Sequence, residues 1–213
     1  MRASDIMTTK VVTISPDLKV DEIARVLLEK GISAVPVADE NGKVLGIVSE
    51  GDLLRRHENH TERRHSSWLS LFTSSEDEAR DYAKTHGMTA AQVMTDKIIS
   101  VDEETLVGDI AQLLEKRRIK RVPVIQDGKL VGIVSRANLL HGLAASKDAG
   151  PAAPSVDDRQ LRKNILAKLE NENWISHGAL NVIVTSGAVE LWGWVNSEDE
   201  RKALMIAVET VEG

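Results

Sequence analysis

"GIVSEGDLL" at residues 46–54 returns as "GIVSRANLL" at residues 132–140. Both stretches carry a glycine, two β-branched residues, a serine, and a polar residue three positions after that serine. The chain therefore contains an internal repeat, which changes how every other segment is read. Working outward, Met7-Thr8 recurs as Met94-Thr95, Ile23-Ala24 as Ile110-Ala111, Ile32 as Ile119, and Val35-Pro36-Val37 as Val122-Pro123-Val124, all at an offset of 87. Beyond the proline one residue is dropped. Gly42, Gly46 and Ser49 match Gly128, Gly132 and Ser135 at an offset of 86, as a one-residue change in a turn produces.

Each copy follows the same plan. "VVTIS" and "IISVD" are short β-branched runs that predict strands. Val20, Ile23, Ala24 and Leu27, mirrored by Val107, Ile110, Ala111 and Leu114, recur at helical spacing. "AVPVADENGKVLGIVS" and "RVPVIQDGKLVGIVS" predict hairpins, with Asn41-Gly42 and Asp127-Gly128 supplying residues that tolerate positive φ in the turn. A second helix carries Leu53-Leu54 in one copy and Leu139-Leu140 in the other. A unit of this size sits at the lower limit of independent folding, so two copies packed together as a pseudo-two-fold pair are expected.

Composition narrows the function classes. The chain has 213 residues, 42% apolar and 28% charged, enough to bury a real core. It has no cysteine, which excludes disulfides, thiolate metal sites and cysteine nucleophiles. A net charge of −6, with one Tyr and one Phe, argues against nucleic acid as a partner, since phosphate neutralisation needs a basic surface and stacking needs aromatic platforms. "MRASDIMTTK" lacks an apolar signal core, and no stretch approaches the ~18 apolar residues of a spanning helix, so the cytoplasm is the expected compartment.

Over residues 3 to 145, from "DIMT" through "VPV" to "GIVSxxDLL", both copies resemble CBS domains, and together they resemble the tandem pair called a Bateman module. Taken alone, the Ser-x-x-Asp motif is a helix cap with an acid in the first turn. The resemblance implies more: such pairs bind adenosine nucleotides, so Ser49 and Asp52, and in the second copy Ser135 and Asn138, become candidate ribose ligands. An ionised carboxylate is acceptor-only with two oxygens and suits both vicinal hydroxyls, whereas the neutral Asn138 amide predicts a weaker second site. The basic pair Lys120-Arg121 stands where the first copy has Ser33-Ala34. By the resemblance, Lys120 and Arg121 would reach the phosphates of the ligand held by Ser49 and Asp52, while Ser33 and Ala34 would face the other site without a cation. Adenine would lie against Ile47, Ile98, Ile99 and Pro123, although core packing explains those residues equally well. AMP, ADP or ATP would be a regulatory ligand, and such modules often form homodimers.

Residues 57–88 have no counterpart in the second copy. They run from a basic stretch to "SSEDEARD", a Ser-led helix start with acids in its first turn. His57 and His60, with Glu62 or His65, have no fixed metal-site spacing, and no metal is expected there. Trp68, Leu69, Leu71 and Phe72 form an apolar cluster that must be buried against the module or a second subunit.

"AASKDAGPAAPS" at 144–155 is rich in Ala, Gly and Pro and predicts a linker. After it, Leu161, Ile165 and Leu169 step along a helix, "NVIVTSGAVELWGWV" predicts two strands about Ser186-Gly187, and Ser197 with Glu200 predicts a capping box opening a last helix. This αββα pattern, with Gly187 and Gly193, resembles a BON domain, a small module proposed to attach proteins to phospholipid surfaces or to partners. BON sequences usually run on into a final strand, so an exposed sheet edge is expected here. Trp174, Trp192 and Trp194 are expected mainly in the core or as cross-strand partners.

The expected fold class is thus α/β (α+β). Its organisation is a CBS repeat at 1–56, an insertion at 57–88, a second repeat at 89–145, a linker at 146–155 and a BON-like domain at 156–213. No phosphate-cradling glycine loop, nucleophile elbow or paired-histidine metal signature is present, so an enzyme is not expected. The leading expectation is a nucleotide-sensing regulatory protein that couples ligand occupancy to a C-terminal attachment module. The alternative is a ligand-independent dimerising scaffold that presents residues 156–213 to a protein or phospholipid partner.

Overall fold

The structure is a computed structural model, and it describes residues 1–54, 75–149, 154–172, 174–175 and 180–212. The histidines at 57, 60 and 65, Glu62, and the apolar cluster of Trp68, Leu69, Leu71 and Phe72 lie outside the described residues. In chain order the elements are α1 (Ala3–Ile6), α2 (Val20–Glu29), β1 (Ala34–Ala38), β2 (Val44–Ser49), α3 (Glu50–Leu54), α4 (Ser75–His86), α5 (Ala90–Val93), α6 (Val107–Lys116), β3 (Arg121–Gln126), β4 (Lys129–Ser135), α7 (Arg136–Ala149), α8 (Val156–Glu170), β5 (Asn181–Thr185), β6 (Ala188–Trp192) and α9 (Glu198–Glu209). Two compact units result: Val12–Ile98, and Met1–Val11 together with Ile99–Gly213. Among the described residues no helix is long and apolar enough to cross a membrane.

In the unit Val12–Ile98, β1 and β2 form an antiparallel hairpin with Val35 opposite Val48 and Pro36 opposite Ile47. The "VVTIS" run does not build a full strand. It reduces to a parallel bridge from Ile14 to Val37, because the following Pro16 and Asp17 turn the chain away after one pairing. On the other edge Thr95 pairs antiparallel with Ile47. Helix α2 lays Ile23 and Leu27 on the sheet, both buried, and the core closes with Val35, Val37, Val48 and Val93. The helix stops at Gly31, whose φ of +61° is the left-handed conformation that glycine adopts at least cost.

The other unit repeats this arrangement. β3 pairs with β4, Val101 bridges Val124, and Thr8 pairs antiparallel with Ile133. Helix α6 buries Ile110 and Leu114 against Val122, Val124 and Val134. Here the stop is Arg118 at φ +54°, a strained substitute for the glycine of the first copy.

The one-residue offset between the copies lies in the hairpin turns. In the second, Asp127 and Gly128 both have positive φ, forming a two-residue turn between paired Gln126 and Lys129. The first loop is one residue longer, and the Asp39 carboxylate shapes it by accepting from the N–H groups of Asn41 and Lys43, each at 2.9 Å.

The repeated glycine of "GIVS" has its explanation in these sheets. A Cβ on Gly46 would stand 2.4 Å from Met94 Sδ, and one on Gly132 would stand 2.5 Å from Met7 Sδ. Each glycine is a seat for a methionine of a Met-Thr segment. The segments are exchanged: Met7-Thr8, which opens the first repeat, completes the second repeat's sheet, and Met94-Thr95 completes the first's.

Helix α7 runs on through Ala149, into the stretch expected as linker, because Ala144, Ala145 and Ala149 are helix formers and its breakers begin only at Gly150. The C-terminal part has the expected helix, hairpin and helix. Leu161, Ile165, Leu169 and Leu204 pack with Val182 and Val184, and Ser186 and Gly187, both at positive φ, close the hairpin. Asp158 joins the start of α8 to that turn, accepting from Ser155 N–H at 2.8 Å and Gly187 N–H at 2.7 Å. Burial alone would raise its pKa, but these donors and the Ser155 hydroxyl outweigh burial and hold it below the ordinary carboxylate value. The predicted capping box forms by half: Ser197 Oγ accepts from Glu200 N–H, while the Glu200 carboxylate reaches Asn196 N–H instead.

This module does not stand apart. Every residue of β5 is buried, and Ile183 joins the core cluster of Ile6 and Ala145. The Arg162 guanidinium, 7% exposed, donates to Val182 O at 2.8 Å and to Met7 O at 2.7 Å. Arg159 pairs with the buried Asp5 at 2.9 Å. Trp192 stacks on His141 of α7 with ring centroids 4.5 Å apart, and burial pushes the His141 pKa down. Trp192 thus follows the packing expectation, whereas Trp194 is 84% exposed and departs from it, since the chain leaves the hairpin after Trp192.

Candidate functional site

Both Ser-x-x-(Asp/Asn) motifs lie where a hairpin's second strand runs straight into a helix, β2 into α3 and β4 into α7. In each, the residue three positions on folds back over the helix start. Asp52 Oδ2 accepts from Ser49 N–H at 2.9 Å and from Ser49 Oγ at 2.6 Å. Asn138 Oδ1 accepts from Ser135 N–H at 2.8 Å and from Ser135 Oγ at 2.7 Å. The structure therefore brings together the two residues of each candidate ribose pair. These bonds satisfy N–H groups that a helix start leaves without partners.

The other end of each side chain separates the two copies. Asn138 is 5% exposed, and its Nδ2 donates to Ile6 O at 3.0 Å and to Thr8 Oγ1 at 3.3 Å. The amide is thus spent inside the fold, tying the exchanged N-terminal segment to α7. A carboxylate has no donor with which to do this. In the first copy Lys84 supplies one: its Nζ donates to Asp52 Oδ1 and to Thr95 Oγ1, both at 2.9 Å. Thr95 is the repeat-equivalent of Thr8, so an ammonium from α4 stands where the second copy uses its own amide. The Asp52 side chain is 14% exposed and that of Lys84 27%, so both sit at the rim of the site.

The remaining sequence candidates divide between the units. Ile47 is half-buried on β2, paired with Thr95, and Ile98 is half-buried at the end of the same unit. Ile99 and Pro123 belong to the other unit, Ile99 packed against its core and Pro123 buried in β3. Lys120 is exposed just before β3, and its carbonyl accepts from Arg136 N–H at 3.1 Å; Arg121 opens the strand half-buried. Sequence reasoning missed Lys84 and the two threonines. Thr8 and Thr95 carried a signal, since both recur in the repeat, but Lys84 lies in the insertion and has no repeat partner.

The CBS domain family matches residues 3–59 and 90–145, and the BON domain family matches residues 157–213. Among curated proteins, the chloroplastic CBS domain-containing protein CBSX1 of Arabidopsis thaliana is 33% identical over 146 residues, covering 64% of this chain. The chain spans 61% of that relative's length. The uncharacterized protein MJ1426 of Methanocaldococcus jannaschii is 31% identical over 154 residues, covering 67% of this chain and 91% of its own. Among solved structures, CBSX2 in complex with AMP is similar at 30% identity and a TM-score of 0.60, covering 68% of this chain and 98% of that one.

Proposed function

The chain belongs to the CBS-domain family, with a tandem CBS pair followed by a BON domain, and on that premise we propose that it is a regulatory protein whose first-copy site binds an adenosine nucleotide. The observation that carries this reading is the Asp52 carboxylate. It is prepositioned by Ser49 on one oxygen, and its other oxygen is held at the rim by a side-chain cation rather than by the main chain. Two O–H donors of a ribose diol match such a group, and the AMP complex of CBSX2 supports an adenosine ligand. Lys120 and Arg121 serve the phosphate in this reading, and Ile47, Ile98, Ile99 and Pro123 the adenine. Ser135 and Asn138 form the weaker second site, because the Asn138 amide is already engaged. AMP, ADP and ATP all fit these roles.

Support for coupling to the BON domain comes from Met1–Val11. Asn138 holds this segment through Ile6 O and Thr8, and Arg162 of α8 holds it through Met7 O. A ligand that altered the segment's position would therefore act on the C-terminal module directly, provided it bound the two positions with different affinity. The protein works as a cytoplasmic homodimer in this reading, with a protein or phospholipid partner on residues 156–213.

Titration calorimetry with AMP tests the site. Charge-assisted bonds contribute about 1.5–3 kcal/mol each, so Asp52→Ala should weaken AMP binding by roughly ten- to a hundredfold. Replacing Lys120 and Arg121 by alanine should weaken AMP but leave adenosine unchanged. An AMP affinity indifferent to Asp52→Ala would remove the proposed site.

A further inference from the structure

Among the described residues, the partner of Asp52 Oδ1 is the Lys84 ammonium, and that ammonium also bonds Thr95. Lys84 projects from α4 (Ser75–His86), within the insertion that the second copy lacks. The copies thus solve one problem in two ways. Where the residue after Ser-x-x is an amide, its own N–H bridges to the threonine; where it is a carboxylate, a side chain is brought in from outside the repeat.

Asp52 Oδ2 already takes two donors, the N–H and the hydroxyl of Ser49, which fills its lone-pair directions, so the two hydroxyls of a ribose diol fall to Oδ1, the atom Lys84 holds. That oxygen has two lone-pair directions and cannot take both hydroxyls and the ammonium together, so the ammonium and the full 2′,3′-diol are alternatives there. We propose that Lys84 is a built-in occupant of the first-copy ribose site: an adenosine ligand displaces it from Asp52, and its release loosens α4. This rests on the reading of Asp52 as the ribose ligand and adds to it a specificity-setting competitor, together with a route from occupancy to the insertion helix.

Two features make α4 a suitable responder. Its sequence, "SEDEARDYAKTH", is strongly polar, so the helix has little apolar face to hold it once Lys84 lets go. The chain just beyond its C-terminal end is tied down, with Met88 N–H donating to Gln92 Oε1 of α5 at 2.7 Å and Met88 O accepting from Val20 N–H at 3.1 Å. Release at Lys84 therefore acts on the helix and leaves its anchor to α5 in place.

The test pairs a variant with a measurement on the unaltered protein. Lys84→Met keeps the aliphatic stem and removes the charge. It should bind adenosine about tenfold more tightly, because the diol no longer competes with an ammonium. In the unaltered protein, saturating AMP should raise amide hydrogen exchange across residues 75–86, and this readout requires no folded variant. If Lys84→Met binds adenosine no more tightly, or AMP leaves or increases the protection of residues 75–86, the displacement is wrong. If neither protein binds adenosine or AMP, or binding in both ignores Asp52→Ala, the ribose reading itself fails, and the lysine proposal with it. Binding that depends on Asp52 but not on Lys84 would overturn the lysine proposal alone.

Discussion

Replacing Arg162 with methionine should lower the stability of the unit that carries the C-terminal module by about 2 kcal/mol, and the loosening should concentrate in residues 156–212. The guanidinium is buried and makes two hydrogen bonds, both to main-chain carbonyls: Val182 O inside the module and Met7 O in the N-terminal segment. Bonds from a charged donor contribute about 1.5–3 kcal/mol each. Against them stands the removal of a cation from water, which pulls the Arg162 pKa down to about 10. Methionine preserves the stem and removes both the bonds and the desolvation, so the net loss is smaller than the sum of the bonds. Chemical denaturation with hydrogen-exchange readout checks this. An Arg162→Met protein with an unchanged midpoint and unchanged protection of β5 would show that apolar burial of Ile183 and its neighbours holds the module alone.

Changing Asn138 to aspartate should be costlier, about 3 kcal/mol at neutral pH, although only one atom's identity changes. The side chain is 5% exposed. The substitution keeps the acceptor that Ser135 uses but turns the donor facing Ile6 O and Thr8 Oγ1 into a second acceptor. Threonine can rotate its hydroxyl to donate; the Ile6 carbonyl cannot, and a buried negative charge is left facing it. The same residue type is tolerated at position 52 because Lys84 supplies the cation there. Asp52→Asn, the reciprocal change, should cost far less, since an exchangeable rim contact is lost rather than a buried one. Thermal unfolding of the two single variants compares them directly, and equal losses would contradict the assignment of Asn138 as a clamp.

The sequence made some of this legible and not the rest, for identifiable reasons. The hairpins and helices of both copies follow from periodicity and turn chemistry, and the missing residue in the second hairpin appears as the Asp127-Gly128 turn. The short runs at 11–15 and 98–102 are only bridges, because β-branched composition says nothing of how many residues find a partner. Asn138 was legible as a weakened acceptor but not as a donor, since the carbonyl it serves lies 132 positions away. Lys84 was one charged residue in a polar helix, indistinguishable from a solvated one. Arg162, beside Leu161 in an otherwise ordinary helix, carries no mark of burial in the sequence, and neither does the full burial of strand β5.

The exchanged Met-Thr segments bear on how variation in such chains is interpreted. Residues 7 and 132, and residues 94 and 46, touch across the duplication and not within it. A bulkier residue in place of Gly46 is relieved by trimming Met94, which an alignment of halves assigns to the wrong partner. A substitution at one member of either pair is therefore expected to find its compensation in the opposite half of the duplication.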